Sequence, residues 1–260
     1  MYKTSIDGLA GHNKELEEKI LKEYAKIRKT GVCKACDKYN GEKVNNGYPA
    51  SIFVVGEDFQ EQAFRVMFVG KTVQDGWESD LIKELGVLDI RKSAQELFYP
   101  QWSSPNPFFQ SIRQVCTMLW GVQDLDYWRR ISITNLVKCS TSTDSDTTPD
   151  TMVSNCINAG FFEKEVSMTK PTHIVFFVGP YYNLGSIHFG FDPLEDEVEE
   201  KTSIGKKTLL WGHRRFVDSK GSVRMQYLRA YHPGYLNIAK NEVKEQYCRH
   251  IAEWVNPKLK

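Results

Sequence analysis

The chain has 260 residues, of which 41% are hydrophobic, enough for one large core or for a core with sizeable insertions. Its net charge is only +1, so any DNA-binding surface must be a local patch rather than a global basic field. The sequence has no signal-peptide pattern and no apolar run long enough to span a membrane. We therefore expect a cytoplasmic, monomeric protein with one domain over residues 1–260, no membrane association and no obligate protein partner.

The N-terminal part predicts an amphipathic helix followed by a cysteine pair. Apolar residues recur at helical spacing over residues 13–30, and Gly31 ends the pattern. Cys33 and Cys36 follow as a C-x-x-C motif. Residues 37–62 are polar and irregular apart from a short strand expected near residues 51–55.

Four short apolar runs, each rich in β-branched or aromatic residues, predict buried parallel strands. They are residues 64–70, 131–138, 172–179 and 223–231. Helical patterns separate them at residues 78–86, at 107–121, from Thr148 onward and, more weakly, after Pro180, and a closing helix covers residues 237–255. This alternation predicts an α/β fold, a three-layer α/β/α sandwich around a central four-stranded parallel sheet.

An insertion over residues 186–222 interrupts this pattern. It contains an acidic run at residues 192–200, which we expect to be a solvated loop, and a basic segment at residues 205–216, which predicts a hairpin. The basic side chains that could contact phosphates are Lys206, Lys207, Arg214 and Arg215. A hairpin that simply faces solvent is equally compatible with this pattern.

Six cysteines without a secretion signal favour thiols or metal ligands over disulfides. Cys139 follows the second predicted strand, and Cys156 lies in the helix after it. Together with the C-x-x-C pair, these thiolates suit an iron–sulfur cluster, although a zinc ion on the same four residues remains an alternative. The remaining two cysteines, Cys116 and Cys248, lie in apolar helical patterns and are expected to be packing residues.

Polar residues gather where the predicted parallel strands end, which is where open α/β sheets bind their ligands. The segments at this edge are residues 70–75, 135–141, 179–182 and 231–236. They contain Lys71, Asp75, Asn135 and His232. We expect the chemistry of the protein to take place at this edge.

Five segments carry motifs in the order found in a known family. ITNLVKCSTS (133–142) is similar to ITNVVKCRPP, and TTPDTMVSNC (147–156) to the proline-opened helix with the last cluster cysteine. FRVMFVG (64–70), NPFFQSIRQV (106–115) and YHPGYL (231–236) are similar to the strand before a GEAPG loop, to a PFVGRAG segment and to an HPSYL loop. Together these segments resemble the iron–sulfur, family-four uracil-DNA glycosylases over roughly residues 20–256.

The resemblance implies a DNA glycosylase, a hydrolase that flips a base out of DNA and cleaves its N-glycosidic bond. It implies a 4Fe-4S cluster on Cys33, Cys36, Cys139 and Cys156. Phe108 would stack on the base, Asn135 would read its edge, His232 would stabilise the developing oxyanion, and Tyr235 or Leu236 would fill the vacated stack. Without the resemblance, Phe108 suits a core residue, Asn135 a loop cap and His232 a turn.

The first loop departs from the family pattern, because Gly70-Lys71-Thr72-Val73-Gln74 stands in place of GEAPG. We expect Gly70, Lys71 and Thr72 to form a changed pocket wall, with Asp75 as the nearest carboxylate that could orient water. Because a carboxamide both donates and accepts, Asn135 suits uracil in one orientation and cytosine in the other. The expected substrate is uracil, in DNA repair, or a modified pyrimidine such as a bulky C5-modified cytosine of phage DNA, in antiviral defence. The alternative is an iron–sulfur DNA-binding protein that has lost catalysis.

Overall fold

A computed structural model describes residues 11–39, 53–71, 105–121, 125–138, 150–236 and 241–260. The predicted α/β class is confirmed. The helices are Lys14–Lys29 (α1), Pro107–Trp120 (α2), Asp150–Asn158 (α3), Phe161–Thr169 (α4) and Asn241–Val255 (α5). The strands are Val54–Val55 (β1), Val66–Gly70 (β2), Ser132–Asn135 (β3), His173–Phe176 (β4), Asp192–Pro193 (β5), Val198–Ile204 (β6), Lys207–Val217 (β7) and Val223–Arg229 (β8).

The helices follow the sequence pattern with local differences. α1 begins after Asn13, whose side chain caps it by accepting a 3.1 Å hydrogen bond from the backbone N–H of Leu16. One helix was predicted between the second and third strands, but α3 and α4 fill this interval, with Gly160 between them. The weak helix predicted after Pro180 is only two short 3-10 turns, Gly179–Tyr181 and Leu184–Ser186. The helix predicted at residues 78–86 lies outside the described residues.

The sheet is larger than predicted and mixed. Within the described residues it has eight strands, in the order β1-β3-β2-β4-β8-β7-β5, with β6 paired to β7. The four predicted strands, β3, β2, β4 and β8, are neighbours and run parallel. β1 extends one side antiparallel, and the strands of the insertion extend the other side. The predicted four-stranded parallel sheet is therefore only the centre of the observed one.

The insertion follows its prediction only in part, because a hairpin is present but consists of β6 and β7 and so includes part of the acidic run. The acidic run instead forms β5 and the first part of β6, whereas the basic segment contributes a turn and most of β7. The carboxylate of Glu197 accepts hydrogen bonds from Arg229 and from the hydroxyl of Tyr227, the latter at 2.5 Å. Most of the run is exposed, as expected, but the Glu197 carboxylate also attaches it to the sheet, because its partners lie on β8.

Side chains of the central strands alternate between two buried clusters, one on each face of the sheet. Phe68 belongs to a cluster with residues of α2 and α5, whereas its neighbour Met67 belongs to a cluster with residues of α3 and α4. Helices therefore cover both faces of the central strands. No helix in the described ranges is both long enough and apolar enough to cross a bilayer.

Parallel pairing brings the ends of the central strands to one edge. Gly70 pairs with Asn135 at the ends of β2 and β3. The backbone N–H of Gly179 donates to the carbonyl of Ala230 at 2.8 Å, just beyond β4 and β8. The loops after the four central strands therefore begin at the same edge, as the sequence predicted.

His173, at the start of β4, is a buried histidine that ties two central strands together. Its ring nitrogens lie 2.9 Å from Thr172 Oγ1 and 2.6 Å from Gln226 Nε2, on the neighbouring β8. Phe64 and Trp254 pack edge-on against the ring, with centroid separations of 5.5 and 5.4 Å. Burial, aided by the nearby charge of Arg65, lowers the pKa of His173 to about 4.

This shift predicts a loss of stability in mild acid. An unfolded histidine has a pKa of about 6.5. Between about pH 6.5 and pH 4, the unfolded chain therefore binds a proton at this residue and the native chain does not. The free energy of unfolding should therefore fall by about 3 kcal/mol through this group as pH drops from about 6.5 to about 4. Urea titrations across this range should show a shallower fall for His173→Gln and an unchanged fall for His188→Gln, whose side chain is exposed. Equal slopes for wild type and His173→Gln would contradict the assignment.

Candidate active site

Four residues from separate parts of the chain meet at the carboxyl edge of the sheet. Gly70 ends β2, Phe108 lies in the first turn of α2, Asn135 ends β3 and His232 follows β8. A Cβ atom on Gly70 would lie 2.2 Å from Asn135 Oδ1 and 3.4 Å from Phe108 Cε2. The rings of Phe108 and His232 are nearly parallel, at 10°, with centroids 5.9 Å apart. An aromatic ring and a carboxamide therefore lie beside one glycine that leaves room for them, and an imidazole faces the same aromatic ring.

Local structure holds the Phe108 ring in place. The Asn106 side chain accepts a 2.8 Å hydrogen bond from the backbone N–H of Phe108, and Pro107 occupies the first turn of α2. The ring packs edge-on against Phe109 and Phe177, at centroid separations of 5.1 and 5.5 Å. Phe108 is therefore a core residue, as its sequence pattern suggests without the resemblance, and it also forms a wall of the candidate site.

Asn135 is held by backbone pairing that continues past the strands. The N–H of Leu136 donates to the carbonyl of Gly70 and the N–H of Val137 to that of Lys71, both at 2.9 Å. This pairing brings the partly exposed Lys71 beside the end of β3. Thr72 and Asp75, the other predicted residues of this loop, lie outside the described residues.

A buried ion pair that the sequence analysis missed lies directly behind Asn135. Lys138 Nζ is 2.6 Å from Glu165 Oε1 and 2.8 Å from Thr134 Oγ1, and it also donates to the carbonyl of Asn135. Lys138 and Glu165 are 1% and 0% exposed. Burial lowers the pKa of Lys138, with Cys156 acting in the opposite direction, and burial raises the pKa of Glu165. The backbone of Asn135 is therefore anchored to α4 through one lysine.

The loop after β8 orients His232. Its Nδ1 accepts a 3.2 Å hydrogen bond from the N–H of Gly234, and its carbonyl accepts a 2.9 Å bond from the N–H of Tyr235. An accepting Nδ1 favours the neutral tautomer that carries its hydrogen on Nε2, which can then donate to an oxygen. Tyr235 is 58% exposed, whereas Leu236 is 3% exposed in the core, so Leu236 is not positioned to insert into DNA.

The predicted basic residues do not form a single patch. Lys206 and Lys207 lie at the β6–β7 turn, beyond the carboxyl end of β8, because β7 runs antiparallel to β8. Arg214 and Arg215 lie about 23 Å further along β7. Both arginines are hydrogen-bonded to Glu195 of the acidic run. Arg214 Nε donates to the backbone carbonyl of Glu195 at 2.7 Å, and Arg215 donates to the Glu195 carboxylate at 2.7 and 3.0 Å. Of the four, only the two lysines lie at the same edge as His232.

Two of the predicted cluster cysteines lie in one buried region. Cys36, on the 3-10 helix Val32–Tyr39, and Cys156, on α3, belong to the same hydrophobic cluster. The side-chain amide of Asn155 donates to Cys36 Sγ and to the carbonyl of Val32, both at 3.0 Å. Cys33, on the same 3-10 helix, is half-buried.

The fourth predicted ligand, Cys139, lies outside the described residues, directly after Lys138. In the ranges that the structure describes, no three side chains of His, Cys, Asp or Glu form a group that could hold a metal ion. Cys36 and Cys156 are buried and Cys36 accepts an N–H hydrogen bond, which are features that thiolates bound to an iron–sulfur cluster share. Cys116 and Cys248 are buried in the other cluster, as their patterns predicted.

Comparisons of the chain with models of known protein families and with curated proteins found no match.

Lys138 and Glu165 were missed because nothing in a single sequence pairs a lysine at a strand end with a glutamate on a later helix. The only signal was the position of Glu165 within an apolar helical pattern, where a charged residue must find a partner.

The buried ion pair predicts a contrast between single and double substitution. Lys138→Met leaves the Glu165 carboxyl buried without its main partner, which should cost about 3–5 kcal/mol of unfolding free energy. The double variant Lys138→Met/Glu165→Leu removes both groups and should recover most of that loss. Urea unfolding followed by circular dichroism measures both values. If the double variant is as unstable as the single one, the pair does not act as a unit.

Proposed function

We propose that this protein is a DNA glycosylase, which flips a pyrimidine base out of DNA and hydrolyses its N-glycosidic bond to leave an abasic site. The observation that carries the proposal is the meeting of Gly70, Phe108, Asn135 and His232 at one edge of the sheet. These residues come from four of the five segments that resemble the uracil-DNA glycosylases. The proposal rests on that resemblance and on this geometry together.

Three of these residues supply functions that base excision requires. A base inside a duplex is inaccessible, so the enzyme must hold it in a pocket outside the stack. Phe108 offers an aromatic face, and Asn135 offers an amide donor and acceptor for the base edge. As the glycosidic bond breaks, negative charge moves onto the base, and a hydrogen on His232 Nε2 can stabilise it at the base oxygen. Asp75 is the candidate for orienting the attacking water.

The substrate we propose is uracil or a modified pyrimidine, including a bulky C5-modified cytosine from phage DNA. Lys71 supports this breadth, because it stands where the related loop has an acidic residue and it lies beside the end of β3. A changed loop at that position changes the wall of the pocket. Excision of uracil would act in DNA repair, whereas excision of a phage-specific base would leave abasic sites in invading DNA.

We propose that Cys33, Cys36, Cys139 and Cys156 bind a 4Fe-4S cluster with a structural role. The cluster would connect the 3-10 helix Val32–Tyr39, the end of β3 and α3. Asn155 would donate its amide hydrogen to the thiolate of Cys36, the contact it makes in the structure. The cluster would thereby support the strand end that carries Asn135.

Substitution of a ligand should cost folding before it costs chemistry. Cys33→Ser and Cys139→Ser should lower the yield of soluble protein and remove its iron and its brown colour, because a cluster held by four thiolates loses one ligand. Cys116→Ser, at a buried cysteine of α2, is the control and should keep both iron and colour. A colourless protein that contains zinc would support the zinc alternative. A soluble, well-folded Cys139→Ser protein without colour would contradict the structural role.

The decisive experiment measures the release of free base from DNA that contains uracil, from unmodified DNA and from phage DNA with modified cytosine. His232→Ala should lower the rate of release by about 10²–10³-fold, because it removes a donor to the developing negative charge. Asn135→Ala should also lower the rate, because it removes the group that reads the base. Both variants should still bind DNA through surfaces outside the pocket.

His188→Ala is a matched control, because its side chain is exposed and its backbone N–H donates to Glu163 on α4, which covers the face of the sheet opposite Phe108. It should keep the wild-type rate. If no DNA releases a base but the protein still binds DNA, the alternative of an inactive iron–sulfur DNA-binding protein stands. If release occurs and is indifferent to Asn135 and His232, the pocket described above is not the catalytic site.

A further inference from the structure

An exposed tyrosine beside the candidate pocket is held by two neighbours. The rings of Tyr235 and Tyr231 are stacked at 18°, with centroids 5.3 Å apart. Lys207 Nζ lies 5.0 Å from the centre of the Tyr235 ring and donates a 3.1 Å hydrogen bond to the Tyr235 carbonyl. We call these three residues the Tyr235 stack. It joins the insertion to the loop that carries His232.

Helix α5 fixes both partners of the stack. The hydroxyl of Tyr247 donates a 2.6 Å hydrogen bond to the carbonyl of Tyr231. On the other side, the β6–β7 turn lies against α5, since a Cβ atom on Gly205 would come 3.0 Å from Val243 Cγ2. Gly205 has φ +60°, as the first position of a two-residue type II′ hairpin turn requires. The position of Lys207 relative to Tyr235 is therefore set by packing.

An exposed aromatic ring ordinarily loses conformational freedom when a ligand immobilises it. Tyr235 is 58% exposed, yet it is contacted through both its ring and its backbone. A ring that is ordered in advance gives up less freedom on binding, so more of the stacking energy is available for affinity. A nearby ammonium also favours the approach of a phosphate backbone.

We infer that Lys207 is a positioning residue for duplex DNA: it holds Tyr235 ready to fill the gap that a missing base leaves in the stack. This inference rests on the proposed function, because base flipping creates the gap. The inference goes beyond that function, because it gives the insertion a role in DNA recognition. The inference predicts that Lys207 contributes more to the affinity for duplex DNA with a gap than to the affinity for intact duplex DNA. A lysine that only attracts phosphates would contribute equally to both affinities.

The test compares binding of two duplexes, one intact and one with a tetrahydrofuran abasic site, so it does not require catalysis. Fluorescence anisotropy gives the two dissociation constants, and their ratio measures the preference for the gap. Tyr235→Ala should reduce this preference by about tenfold, because stacking on a base is lost. Lys207→Met should reduce it by about two- to fivefold, and Lys207→Arg should restore it, since arginine keeps the cation beside the ring.

Lys206→Met is the matched control for charge. Lys206 is exposed in the same turn, so its loss should weaken binding to both duplexes alike and leave their ratio unchanged. Gly205→Ala provides a second route, because it keeps every charge but forces the turn away from Val243. It should lower the ratio as Lys207→Met does. Gly221→Ala imposes a similar left-handed strain where a Cβ atom meets nothing within 4 Å, and it should leave the ratio unchanged.

Two results would overturn the inference. One is a wild-type protein with no preference for the abasic duplex, and the other is an equal ratio for wild type and Lys207→Met. Failure of the proposed function would look different, because it would be an absence of base release from every DNA tested. A protein that prefers the abasic duplex through Lys207 but releases no base would keep the inference and reject the enzyme.

Discussion

The candidate site depends on the buried contact between Lys138 and Glu165. One ammonium group bridges a carboxylate on α4, the hydroxyl of Thr134 and the carbonyl of Asn135, all inside the core. Such contacts offset part of the cost of burying polar groups, although Glu165 Oε2 has no hydrogen-bond partner among the described residues. These contacts anchor the end of β3, from which the side chain of Asn135 is presented to the edge of the sheet.

The same contact links the site to the cysteines. Lys138 directly precedes Cys139, and it lies close enough to Cys156 for the two groups to interact electrostatically. A cluster bound at these cysteines would hold the far side of the segment that Lys138 anchors. On our proposal, the cofactor and the ion pair are two supports for one strand end, which explains why a structural cluster would lie so near a pocket.

Charge pairing also explains how the insertion became part of the sheet. Its acidic run carries carboxylates that Arg215 and Arg229 bind, so β5 and β6 can lie beside β7 without a row of unpaired charge. Once β7 is in place, its first residue, Lys207, reaches Tyr235 at the carboxyl edge. The insertion thus extends the sheet along β7 through β5 and β6, and it contacts the candidate DNA-binding loop through the first residue of β7.

The sequence by itself determined the α/β class, the four central strands and the edge at which Gly70, Asn135 and His232 meet, because apolar periodicity is a local property and the alternation of strands and helices restricts how the strands can pair. Only the tertiary structure decided the size of the sheet, the separation of Lys207 from Arg214 and the burial of Leu236. These outcomes depend on which distant partner satisfies each charge or covers each apolar side chain. Glu165 finds Lys138, and Glu197 finds Arg229, through packing between segments whose pairing no spacing along the chain encodes.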